Sequence, residues 1–129
     1  MNVKKKYVVV DDDHLNNMLC SINIRKQSPD SDIHTFTVPE EGLDFLKKIS
    51  TQALPPTVVF LDINMPSMNG WEFMEQFQKL ESEHKSKFKV YILTSSVDQR
   101  DIERAKKHHD IVGITSKPLR LEQLESELI

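Results

Sequence analysis

A chain of 129 residues, 38% hydrophobic and 29% charged, fits one globular domain able to bury a core without covalent staples. The net charge of −3 argues against a nucleic-acid or acidic-membrane binder, because phosphate contacts need clustered lysine and arginine, and the Lys4-Lys5-Lys6 run is too short to reverse that. Cys20 is the only cysteine, which excludes an intramolecular disulfide, and no signal-peptide core or membrane-spanning apolar run appears, so a cytoplasmic protein is expected.

Lys6 to Val10, KYVVV, reads as a buried strand that stops at Asp11-Asp12-Asp13. Leu15, Met18 or Leu19, and Ile22 recur at helical spacing, which predicts a helix from near Asp13, its N-cap, to about Gln27. Ser28-Pro29-Asp30-Ser31 is a turn, and Ile33 to Phe36 is a short second strand. Thr37-Val38-Pro39-Glu40 matches a capping box, opening a helix with Leu43, Leu46 and Ile49 inward. Val58 to Leu61 is a third strand, rich in β-branched and aromatic residues, ending at Asp62 and a loop marked by Pro66. Asn69-Gly70-Trp71-Glu72 looks like a further N-cap, and Trp71, Met74, Phe77 and Leu80 make a core-facing stripe. Lys79 to Lys87 is charged and reads as a solvated helix end and loop. Phe88 to Leu93 is the fourth strand, ending at Thr94-Ser95-Ser96. Ser96-Val97-Asp98-Gln99 reads as a capping box for a fourth helix. Ile111 to Thr115 is the fifth strand, ending at Ser116-Lys117-Pro118, and Leu121, Leu124 and Leu128 predict a last amphipathic helix.

Strand followed by helix, five times, implies an α/β fold: a doubly wound parallel sheet covered on both faces, with right-handed crossovers. In such a sheet all carboxyl ends lie along one edge, which is where ligands bind. Asp11 and Asp12 follow the first strand, Asp62 the third, Thr94 the fourth and Lys117 the fifth. Three carboxylates brought together repel one another unless a cation intervenes. Mg²⁺ suits them, since it takes one or two carboxylates, keeps waters and binds phosphate oxygens. The set therefore points to phosphoryl transfer, with Asp62 as nucleophile, Lys117 as a second positive charge and Thr94 as a hydroxyl donor.

VVVDDD, LDINMP-x-MNG, ILTSS and SKP, in that order, resemble the receiver domain of two-component response regulators, the CheY-like, flavodoxin-like fold, from Lys6 to Leu128. The resemblance implies the strand order 2-1-3-4-5 with five helices. It also implies that Asp62 is the phosphoacceptor, that Asp12 ligates the metal directly and Asp11 through water, and that Asn64 offers its backbone carbonyl. Thr94 corresponds to the switch hydroxyl and Lys117 to the family's lysine, and the bond to Pro118 is a cis candidate. Ser96 and Asn64 stand where the family tunes the lifetime of the phosphoryl group. Two departures stand out. Ile114 replaces the usual aromatic switch residue, and His109-Asp110 replaces Ala-Gly, so the fourth helix is expected to end differently.

The expected protein is a signalling switch, not a turnover enzyme. It would be phosphorylated by a sensor histidine kinase or histidine phosphotransfer protein, and read by a downstream protein on the fourth helix, fifth strand and last helix. Homodimerisation is a further option. Residues 1–129 are expected to form one receiver domain without an output domain. Two rivals differ in class. A haloacid-dehalogenase-type phosphatase wants an acid two residues after its nucleophile, where Asn64 stands. A flavodoxin-like carrier wants a hydroxyl-rich loop where this chain is acidic, and no nucleotide-binding P-loop motif is present. A pseudo-receiver that docks without phosphorylation is the remaining alternative. The five histidines have no metal-ligand spacing, and His14 alone lies beside the acids.

Overall fold

A computed structural model of the protein describes residues 5–121. The strands are β1 (Lys6–Val10), β2 (Asp32–Phe36), β3 (Thr57–Asp62), β4 (Phe88–Thr94) and β5 (Ile111–Ser116). Between them run α1 (His14–Gln27), α2 (Pro39–Ser50), α3 (Gly70–Phe77), the single-turn α4 (Ser82–Lys85) and α5 (Gln99–Lys107). All strands are parallel in the order β2-β1-β3-β4-β5, the doubly wound arrangement and order expected. Of the expected last helix only Leu121 is described, and it is buried; Leu124 and Leu128 lie outside the described residues.

Alternation along the strands divides the core in two. Val8, Val10, Val59, Leu61, Val90 and Ile92 face α2, α3 and α5, where Leu43, Leu46, Ile49, Trp71, Phe73, Met74, Phe77 and Ala105 meet them. Tyr7, Val9, Val58, Phe60, Tyr91 and Leu93 face the other way, against Cys20 and Ile24 of α1 and the segment with Leu119 and Leu121. The central strand β3 is buried at every position, which is why its sequence lacks alternation. Cys20 is buried and its thiol is pushed up to about 12, first by burial and then by the charge of Asp11, so it is a small hydrophobe and not a nucleophile.

The helix starts show where local sequence rules held. Asp13 caps α1, accepting the Leu15 N–H at 3.0 Å. Asn69 caps α3 in a complete capping box with Glu72, each bond about 3 Å. Two caps fall elsewhere. At α2 the N-cap is Val38, without a side-chain bond, and Pro39 opens the helix, so Thr37 is not the cap. At α5 the cap is Asp98, which accepts the Asp101 N–H at 3.0 Å. Ser96 does not start that helix because its N–H is turned back onto Thr94 Oγ1 at 3.3 Å. The apolar stripe of α1 also lies off the sheet. Leu15, Met18, Leu19 and Ile22 are 63%, 49%, 44% and 47% exposed, while Asn16, Asn17, Cys20 and Ile24 are buried.

The His109-Asp110 departure has a local reason. The C-cap of α5, His108, adopts an extended conformation (φ −93°, ψ 118°), so no left-handed residue is needed there. The Asp110 N–H donates to His108 Nδ1 at 3.2 Å, and the carboxylate pairs with Lys85 of α4 at 3.3 Å.

Candidate functional site

Register brings the acids together. In the β1–β3 pair Val10 lies opposite Leu61, so Asp11 and Asp62 are neighbours one residue further on, across a strand spacing of roughly 4.8 Å. Asp62 lies opposite Leu93, and Thr94 opposite Ser116, which carries Thr94 and Lys117 to the same edge. Carboxylate oxygens of Asp11, Asp12 and Asp62 all lie within 4.8 Å of one another. Asp11 and Asp62 are buried, whereas Asp12 and the Asn64 side chain are exposed.

Lys117 closes the cluster. Its ammonium is 2.7 Å from Asp11 Oδ2 and 3.4 Å from Asp62 Oδ1. Burial works against that charge, but the hydrogen bond and field of Asp11, then those of Asp62, prevail and hold the lysine above its usual range. The backbone fixes where it starts from. The Lys117 N–H donates to the Thr94 carbonyl at 2.8 Å, and the Lys117–Pro118 peptide is cis. The Asp62 carboxyl is pushed up to about 6 by burial first and Asp11 second, with Lys117 and the Asn64 N–H opposing. One ammonium therefore does not neutralise the cluster. That deficit, on hard oxygen donors, is what a divalent cation such as Mg²⁺ fits.

Asp11 is held more fully than the sequence suggested. Oδ1 accepts the Asp13 N–H at 2.9 Å, and Oδ2 accepts Asn16 Nδ2 at 2.7 Å besides Lys117. Asn17 Nδ2 donates to the Asp11 carbonyl at 2.9 Å and to the Phe36 carbonyl at 3.3 Å, tying off the ends of β1 and β2. Asn16 and Asn17 were not singled out from the sequence. The signal was there: two adjacent carboxamides at helix positions that, with Cys20 and Ile24, form the face on the sheet.

Thr94 is buried and its hydroxyl lies toward Ser96, 3.5 Å from that residue's carbonyl and 3.3 Å from its N–H. Ile114 is half-buried and packs against the core shared by α2, α3 and α5. Gly70 sits against the site from below. Its N–H donates to the Ile63 carbonyl at 2.8 Å, and its Cα approaches so closely that a Cβ would lie 2.6 Å from the Asp62 carbonyl oxygen.

A parallel α/β sheet with an acidic pocket and one lysine at its carboxyl edge defines a class of proteins, and comparison places the chain within it. Residues 7–129 match the response regulator receiver domain, and the chain belongs to that family, whose general function is phosphorylation-dependent switching in two-component signalling. Among solved structures, it is similar to a two-component response regulator from Cytophaga hutchinsonii. The identity is 28%, covering 98% of each chain, with a TM-score of 0.88. A response regulator receiver protein from Dyadobacter fermentans is 27% identical over 96% of this chain and 94% of its own, with a TM-score of 0.86. The chemotaxis protein CheY4 of Vibrio cholerae shares the fold at 22% identity, over 98% of this chain and 100% of its own, with a TM-score of 0.76. No curated protein matches. Among the described residues, no helix is long and apolar enough to cross a membrane.

Proposed function

We propose that this protein is a switch phosphorylated on Asp62 by the phosphohistidine of a sensor kinase or phosphotransfer protein. The observation that carries the reading is the meeting of Asp11, Asp12 and Asp62 with the Lys117 ammonium at one sheet edge. A carboxylate oxygen of Asp62 attacks the phosphorus, the new P–O bond forms as the P–N bond breaks, and the departing imidazole nitrogen takes a proton from solvent. Asp11, Asp12, Asp62 and the Asn64 carbonyl would hold Mg²⁺, which supplies neutralisation of charge on the transferred oxygens. Lys117 follows the phosphoryl group from Asp62 Oδ1. Thr94 exchanges its contacts with Ser96 for a phosphoryl oxygen, and this rearrangement, with repacking of Ile114, is the two-state element read by a downstream protein. Turnover of an external substrate is not part of this chemistry.

The test is intact mass after incubation with acetyl phosphate and Mg²⁺. Wild type is expected to gain one phosphoryl group, and Asp62→Asn or wild type in EDTA none. Wild type that binds Mg²⁺ but gains no mass would leave a docking module in place of a switch. Steady hydrolysis of p-nitrophenyl phosphate would point instead to a phosphatase.

The solvent-facing stripe of α1 supports a place for the donor. Leu15, Met18, Leu19 and Ile22 lie at i, i+3, i+4 and i+7 on the helix that starts beside Asp11 and Asp12, a face apt for an apolar partner surface that presents a phosphohistidine to Asp62. A charge there, as in Leu19→Glu, is expected to slow transfer from a phosphorylated partner by about tenfold or more, the effect of losing one interface anchor. Transfer from acetyl phosphate should change far less, and an equal loss with both donors would remove α1 from the docking surface.

A further inference from the structure

We infer that Asn16 is a positioning residue that shares Asp11 with Lys117 and so lets the lysine move to the phosphoryl group; this rests on the phosphoacceptor reading of Asp62. Asn16 lies on the first turn of α1, 8% exposed, where the helix face meets the sheet. An apolar residue would be the ordinary occupant of that face, as Cys20 and Ile24 are one and two turns on. The carboxamide does not cap the helix, since Asp13 does so. Its Nδ2 is instead directed at Asp11 Oδ2 at 2.7 Å, the same oxygen that Lys117 contacts at 2.7 Å. Its other near neighbour on that side is the Cys20 sulfur at 3.7 Å, a protonated thiol that competes little for the donor.

The geometry makes the sharing consequential. Lys117 is nearer Asp11 than Asp62, so before phosphorylation it leans toward Asp11. A phosphoryl group on Asp62 draws the ammonium outward, away from a buried carboxylate. Leaving such a carboxylate short of a donor is costly, more so than losing a donor at the surface. With Asn16 in place Oδ2 keeps one donor, and Oδ1 keeps the Asp13 N–H. Without it, Oδ2 holds the lysine alone and more tightly. Asn16 thus acts through Asp11 on Lys117 and touches neither the phosphoryl group nor Asp62.

The experiment compares Asn16→Leu, and Asn16→Ala should the leucine variant fold poorly, with wild type in three measurements. In metal-free protein, proton exchange of the Lys117 ammonium, followed by nitrogen-15 NMR, is expected to slow severalfold in the variant, and an unchanged rate overturns the inference. With acetyl phosphate and saturating Mg²⁺, phosphorylation is expected to fall by about tenfold, the scale of one charge-assisted hydrogen bond. A rate within twofold of wild type overturns it, as does a loss confined to the melting temperature. In the Asp11→Asn background, Asn16→Leu is expected to have little further effect on rate, whereas an undiminished effect overturns the route through Asp11. Wild type that is never phosphorylated would sink the functional reading, and the ammonium exchange would still decide what Asn16 does.

Discussion

Gly70→Ala is expected to destabilise the protein by about 1–3 kcal/mol, with a loss of Asp62 phosphorylation beyond what instability explains. The cause is space and not backbone conformation, because no glycine among the described residues has positive φ. A Cβ at position 70 would meet the Asp62 carbonyl oxygen at 2.6 Å, Ile63 Cα at 3.0 Å and the Asp62 carbonyl carbon at 3.3 Å. All three are backbone atoms at the strand end that carries Asp62, so relief requires moving either β3 or the start of α3. Moving α3 strains the Gly70–Ile63 hydrogen bond and the Asn69–Glu72 capping box, worth about 1 kcal/mol by itself. Moving β3 shifts Asp62. The other glycines are built-in comparisons. At Gly42 the closest atom, at 2.9 Å, is a side-chain methyl of Val10, and at Gly113 a Cβ would make ordinary contacts of 3.6 Å with the Tyr91 ring. Urea unfolding should therefore rank Gly70→Ala as the most damaging, with Gly113→Ala within about 0.5 kcal/mol of wild type. Equal midpoints for Gly70→Ala and wild type would show that the close approach at Asp62 is not a constraint.

Asp62→Asn is expected to stabilise the metal-free protein at pH 7.5, by up to about 3 kcal/mol, and to lose that advantage near pH 4. The carboxyl, ordinarily near 3.8, is pushed up to about 6 by burial and by Asp11, so the folded state holds its proton more tightly than the unfolded chain does. Well below the ordinary value of 3.8 the group is neutral in both states and costs nothing. Between about 4 and 6 the unfolded chain ionises first, and stability falls as pH rises. Above about 6 the full cost of a buried, crowded carboxylate is present, and asparagine avoids it while keeping the shape. Urea midpoints for the two proteins, in EDTA across pH 4 to 8, measure the difference directly. Mg²⁺ should narrow it again, since a ligand at a hundredfold excess over its Kd adds about 2.7 kcal/mol to the form that binds it. A variant less stable than wild type at pH 7.5 would mean that Lys117 more than compensates Asp62. The charge imbalance expected to cost the metal-free protein stability is the one that a divalent cation would relieve.

The alternation of strands and helices is legible in the order of residues alone, and with it the sheet edge at which Asp11, Asp12, Asp62, Thr94 and Lys117 end up. These features are local: apolar runs of strand length, helical spacing, and turn residues between them. The Asn69 box was legible for the same reason, since every atom of it lies within four residues. The starts of α2 and α5 were not, because Thr37 and Ser96 matched a pattern that the chain path did not use, and Ser96 was claimed by the Thr94 hydroxyl. The orientation of α1 was beyond periodicity altogether. Leu15, Met18, Leu19 and Ile22 gave the helix its period, yet the sheet takes the face with Asn16 and Asn17. Packing against the sheet decides this. The helix starts above the ends of β1 and β2, where a carboxylate and strand-end carbonyls need donors, and satisfying those buried acceptors outweighs covering four apolar side chains. The preference of Lys117 for Asp11 over Asp62 belongs to the same class of facts, set by distances across three strands that no linear pattern records.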